Sequence, residues 1–193
     1  MTQTHSLLAL AALGRRDATR RNLTVLAGSL LPDAFIYVAW PWLTFVQGES
    51  QERIWRDIYF DTPMQAWGAL FNSAPLYAAL AAAGWVTRRN PLGTLLLVFS
   101  LAALIHIATD LPVHAEDAHR HFWPLTDWRF HSPISYWNPA YGARWVGTLE
   151  ALLGIVLCAL LVRRFRARWT HIALWLLLAS YAAMLVLRWS PWP

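Results

Sequence analysis

The chain has 193 residues, 57% of them hydrophobic and only 14% charged, with thirteen tryptophans and a net charge of +5. That balance excludes an ordinary soluble domain and points to a membrane protein. The basic excess does not indicate nucleic acid: all sixteen basic residues are arginines, set in short clusters between apolar runs, which is the pattern of positive-inside anchoring.

Thr2 to Leu13 reads as a short helix with His5 near its start, too short to cross a bilayer alone. It lacks a preceding basic region, so a cleaved leader is not expected. Leu23 to Val46 is long enough to span, with a kink or break at Pro32-Asp33. Gln47 to Pro63 reads as a polar connection. Met64 to Val86 forms a second span, interrupted around Asn72-Ser73-Ala74-Pro75, and Pro91 to Leu111 a third that ends in His106 and Asp110. Pro112 to Arg144 is a long polar and aromatic loop. Trp145 to Val162, with Glu150 inside it, and Trp169 to Leu187 complete the set. The fold class expected is an all-α polytopic membrane bundle, a single domain of about five spans plus the short N-terminal helix. The lone Cys158 lies in an apolar run, so no intrachain disulfide forms.

The arginines set the orientation. Placing Arg15 to Arg21, Arg88-Arg89 and Arg163 to Arg168 in the cytoplasm satisfies every short loop together. For a bacterial inner-membrane protein, the Gln47 to Pro63 connection and the long loop then face the periplasm. Counting upward from the arginines at roughly 1.5 Å per residue, His5 and Asp33 lie about 15 Å deep, Glu150 about 20 Å, Asn72 and His106 about 22 Å, and Asp110 about 28 Å. The polar interior groups of five segments therefore fall in one slab in the outer half of the membrane.

The stretch from Ile105 to Trp128 concentrates imidazole and carboxylate: His106, Asp110, His114, Glu116, Asp117, His119, His121 and Asp127. His106, Asp110 and His114 recur at i, i+4 and i+8 and share one helix face, although Pro112 kinks or ends that helix before His114, which is a further ligand or is turned away from the pair. An imidazole and a carboxylate one turn apart can grip a divalent cation such as zinc from one side. Ionisable residues inside a span are functional candidates by default. The bland alternative is a buried His–Asp hydrogen bond between helices. Asp33 is either a further ligand or a helix cap, and His5 a ligand or an interfacial histidine. His119 and His121, in a weak H-x-H pattern, bind metal or substrate or lie solvated. Asn72 and Ser73 contribute to the site or glue helices together. Glu150 needs a partner and suits a supporting role behind a ligand histidine. The aromatic loop from Phe122 to Tyr141 is an interfacial belt or a lid, with Arg120, Arg129 or Arg144 available to pair with an anion. No phosphate-binding loop, dinucleotide fingerprint, nucleophile elbow or H-E-x-x-H motif is present.

Taken together, Thr4-His5, Leu30-Leu31-Pro32-Asp33, Asn72-Ser73 and the H-x-x-x-D of His106 to Asp110 resemble the bacterial membrane-bound metal-dependent hydrolases of the YdjM type. Their order is also similar to the pattern of zinc-dependent phospholipase C and P1 nuclease. The resemblance implies that His5, Asp33, His106, Asp110 and His114 hold a divalent metal, zinc by type. The chain departs from that pattern at Ala66 to Ser73, A-W-G-A-L-F-N-S. Asn72 stands there in place of a ligand-like histidine, and an amide is a poorer zinc ligand than imidazole.

The expected function is metal-dependent hydrolysis of a phosphoester, phospholipid or other lipid-linked substrate. Asp117 or Glu116 serves as general base, and an outer-loop arginine clamps the anion. A transporter built on the broken span, or an inactive relative whose His–Asp network is structural, are the alternatives.

Overall fold

The computed structural model describes residues 2–189 and is all-helical, with no strand among the described residues. Helix α1 (Thr2–Leu13) and α2 (Thr19–Leu30) lead into a 3-10 turn at Leu31–Asp33 and then α3 (Ala34–Pro41). An outer segment follows with α4 (Gln51–Arg56), then α5 (Thr62–Phe71) and α6 (Ala74–Val86). The long helix α7 (Pro91–Asp110), a 3-10 turn at Leu111–Val113, a long loop, α8 (Ala143–Arg164) and α9 (Arg168–Trp189) complete the chain. Five segments are long and apolar enough to cross a membrane: Thr19–Val46, Thr62–Val86, Pro91–Val113, Ala143–Arg164 and Arg168–Trp189. This is the architecture of a multi-pass membrane protein.

Differences from the sequence expectation are local. The first span is not severed at Pro32-Asp33. Pro32 has no N–H to donate, so the α-helical ladder lapses into a single 3-10 turn and resumes at Ala34. The second span does divide, at Asn72-Ser73, where Ser73 caps α6 by accepting from the Leu76 N–H and Pro75 occupies its first turn. The connection from Gln47 to Pro63 is not irregular: it holds α4, N-capped by Ser50, and a 3-10 turn at Ile58–Phe60.

Helix α1 is the hub, packed on α2, α7 and α8. Leu7 joins Leu157, Cys158, Leu161 and Tyr181 in one core, and Ala9 meets Val25, Val98 and Ala102 in another. Small residues let the backbones close up, as bundles in lipid require when apolar burial gives no net drive. A Cβ added at Gly28 would stand 2.2 Å from the Phe99 carbonyl oxygen, and one at Gly84 2.5 Å from the Leu97 nitrogen. Arg164 donates to the carbonyls of Ala11 (2.6 Å) and Leu10 (3.2 Å), and Arg21 to Leu13 (2.7 Å). These bonds satisfy the open C-terminal end of α1 and gather two of the arginine clusters at one face of the bundle. The N-terminal end of α1 therefore points the other way, into the interior, where α7 ends and α8 begins.

Candidate metal centre

Four buried histidines, His5, His106, His114 and His121, are held by Nδ1. His106 Nδ1–H donates to the Ser29 carbonyl at 2.7 Å, in the lapse of the ladder made by Pro32. His5 Nδ1 lies 2.7 Å from Thr109 Oγ1, and the Thr109 hydroxyl itself donates to Ile105 O at 2.8 Å, so the imidazole is the donor. His114 Nδ1 meets Asp117 Oδ2 at 2.7 Å, and His121 Nδ1–H donates to the Asn72 carbonyl at 3.3 Å. Fixing Nδ1 as the donor leaves Nε2 of each neutral ring as a lone pair.

Three of those Nε2 atoms face one carboxylate. Asp110 Oδ1 is 3.2 Å from His5 Nε2, and its Oδ2 is 3.1 Å from His114 Nε2 and 3.8 Å from His106 Nε2. Asp33 Oδ1 is 3.5 Å from His106 Nε2, while its Oδ2 accepts from the Thr2 hydroxyl at 2.6 Å. His106 Nε2 is buried with no hydrogen-bond partner. The His5 and His106 rings lie tilted at 36° with centroids 4.1 Å apart. A proton shared between imidazole and carboxylate satisfies such contacts, and the same donor set could hold a divalent cation.

The buried groups form two trios that could each hold a metal ion, His5–His106–Asp110 and Asp110–His114–His119, each with its ligand atoms within 4.8 Å of one another. Asp110 belongs to both. Outside the spans, burial and the neighbouring His114 push the His119 imidazole down to about 3, so it is neutral and competent to ligate. Burial likewise lowers His121. Burial alone would lower His114 as well, but Asp110 and then Asp117 outweigh it and raise the imidazole to about 10, so with no cation bound this ring is protonated and donates to both carboxylates. Burial works against the Asp117 carboxylate, yet the hydrogen bond from His114 keeps it below the usual range.

Pro112 ends α7, as the sequence implies, but it does not turn His114 away. The 3-10 turn at Leu111–Val113 returns the ring to Asp110. Asp117 stands behind His114, its Oδ2 also accepting from the Trp137 indole at 3.0 Å, while Oδ1 has no partner. Glu116 is bound to the Asn138 amide on the loop. Asn72 lies outside both trios, its amide nitrogen committed to the carbonyls of Pro32 (3.1 Å) and Gly68 (3.2 Å). Ser73 caps α6 and donates to the Trp123 carbonyl. Glu150 accepts from the Thr4 hydroxyl at 2.8 Å, one residue from His5. Arg120 donates to Gln65 O (2.9 Å) and Asp127 (2.9 Å), and Arg129 to Gln65 Oε1 (2.9 Å) and Ala118 O (2.8 Å). Both tie the outer loop to α5. Arg144 stacks over Trp189 at 4.0 Å.

A cavity of about 350 Å³ opens against the cluster, with Asp33 and Asp117 in its wall beside Tyr37, Trp55, Tyr59 and Tyr136. The Tyr59 hydroxyl is 3.5 Å from His119 Nε2, and the Tyr136 ring lies 5.0 Å from His114. Burial raises both phenols, which stay protonated. Sequence reasoning missed these tyrosines, and Thr109 and Ser29 as well. Short polar residues in otherwise apolar runs were the only signal for the latter pair. Comparison of the chain with protein-family models, with curated proteins and with solved structures finds no match.

Proposed function

We propose that the protein is a membrane-bound metal-dependent hydrolase of a phosphoester or lipid-linked substrate, with zinc as the metal. One observation carries the reading: separate segments aim the Nε2 atoms of His5, His106 and His114 at Asp110, each ring held from behind by a partner at Nδ1. Neutral imidazole nitrogen with carboxylate oxygen is a zinc-type donor set. His5, His106 and Asp33 would hold one ion and His114 with His119 a second, with Asp110 shared. The motif resemblance to YdjM-type hydrolases points the same way. Asn72 does not weaken it, because His119 supplies an imidazole from the loop.

A bound divalent cation supplies Lewis acidity and an activated water. The chain's own residues do the rest. Thr109, the Ser29 carbonyl and Asp117 fix the tautomer of the three rings. Asp117, which lines the cavity, is the carboxylate placed to take a proton there, and the neutral phenols of Tyr59 and Tyr136 can donate to a leaving group. Glu116, bound to the loop, is less suited to the base role. Arg120 and Arg129 hold the loop in place. By the distribution of arginines, the site faces the outer side of the bacterial inner membrane.

Elemental analysis of the purified protein tests the reading. Stoichiometric zinc, lost in His106→Ala and Asp110→Ala together with hydrolysis of a chromogenic phosphodiester, is the expected result. Metal-free protein that binds no added zinc, or solute flux independent of metal, overturns it in favour of a structural network or a transporter.

A further inference from the structure

A second and larger cavity, about 550 Å³, lies between α3 and α5. Its walls include Phe35, Val38, Trp42, Trp67 and Phe71, and its only charged residue is Asp61 at the outer rim. Both helices belong to membrane-crossing segments, so the groove opens sideways into hydrocarbon; Val38 and Trp67 are 74% and 56% exposed there. Its floor adjoins the metal centre. Phe35 packs edge-on against His119 with ring centroids 6.3 Å apart, and Gly68 lies beside both rings. Ile36, Trp55 and Tyr59 of the polar cavity and Leu43 and Met64 of the groove also meet around a small pocket of about 10 Å³, so the two spaces lie next to each other on either side of α3.

Helix α3 thus presents one face, Asp33 and Tyr37, to the polar cavity and the next, Phe35 and Val38, to the apolar groove. A molecule that fills both has a polar group beside the carboxylates and a hydrocarbon chain lying along α3. Water-soluble phosphoesters have no use for the second part. We infer that the α3–α5 groove is a binding site for one hydrocarbon chain of the substrate, which is therefore a bilayer lipid entering laterally from the outer leaflet. The inference rests on the hydrolase reading for its polar end and adds the substrate class. A chain moving from bilayer to groove gains little from apolar burial, since lipid is already apolar. The groove therefore sets the register of the polar group against the metal centre more than it sets affinity.

The test reconstitutes the full-length protein in phosphatidylethanolamine and phosphatidylglycerol vesicles containing a phospholipid with a photoreactive diazirine in its acyl chain. After illumination, adducts are mapped by mass spectrometry in the wild type and in Val38→Trp and Ala39→Trp, which fill the groove. Adducts concentrated on α3 and α5, and falling about tenfold in both variants with zinc content unchanged, are expected. Adducts spread evenly over the lipid-facing sides of α8 and α9, or unchanged in the variants, overturn the inference. Hydrolysis of the soluble chromogenic diester separates the two readings. If it survives while groove labelling is absent, the lipid site falls and the hydrolase stands. If groove labelling is found without any zinc, the chain site stands and the hydrolase falls.

Discussion

At the scale of single residues, the centre depends on Asp110 more than on any histidine, because both trios use it. If two ions bind, His106→Ala and His114→Ala each leave part of the zinc, whereas Asp110→Ala leaves none; elemental analysis of the three proteins decides it. The partners behind the rings are as consequential. Asp117→Asn keeps the size of the side chain but removes the charge at 2.7 Å from His114 Nδ1, so zinc affinity falls by about ten- to a hundredfold in a competition titration with a chromogenic chelator. Proton competition sets the pH dependence. Imidazoles ligate only when neutral, so zinc competes with a proton at His114 below about pH 10, and affinity falls further as the pH drops through the ordinary histidine range. A titration that shows affinity unchanged from pH 8 to 5 removes the histidines from the ligand set. Among these residues, the H-x-x-x-D of α7 was legible from spacing. The part played by His119 was not, because a loop has no periodicity to read.

At the scale of elements, two proline-centred turns do the positioning. Leu31–Asp33 frees a bend where the Ser29 carbonyl meets His106, and Leu111–Val113 folds His114 back to Asp110. Sequence reading recognises the prolines but not the direction of the turn, which depends on what packs beside it. The close contact between α2 and α7 is the other requirement. Gly28→Ala forces a Cβ toward the Phe99 carbonyl, which costs roughly 1–3 kcal/mol and shifts the neighbouring Ser29 carbonyl from His106. Gly84→Ala overpacks α6 on α7 in the same way but far along the helix from the cluster. Thermal unfolding in detergent should show both destabilised, while zinc affinity falls only in Gly28→Ala. Equal affinities would mean that the Ser29 bond does not position His106.

At the scale of the whole molecule, metal binding and folding are linked. The cluster joins α1, the α2–α3 turn, the end of α7 and the outer loop, so a cation bound to the native state alone stabilises all of them together. Chelation should lower the unfolding temperature of the wild type and leave that of Asp110→Ala unmoved. Topology is checked by single cysteines on a Cys158→Ser background. Glu52→Cys should react with an impermeant maleimide added outside intact cells, and Arg89→Cys only after the membrane is opened.

The sequence by itself determined the membrane class, the spans to within a few residues, the common side of the arginine clusters and the chemical identity of the buried polar groups. These follow from hydropathy and charge, which are local sums along the chain. Only the tertiary structure decided that His5 reaches Asp110 across more than a hundred positions, that Asp117 bonds the His114 ring while lining the cavity, that the arginines tie the loop, and that α3 divides a polar cavity from an apolar groove. Those outcomes depend on the rotation of each helix about its axis and on the direction of each turn. Both are set by the packing of small residues between helices, which no local property of the chain encodes.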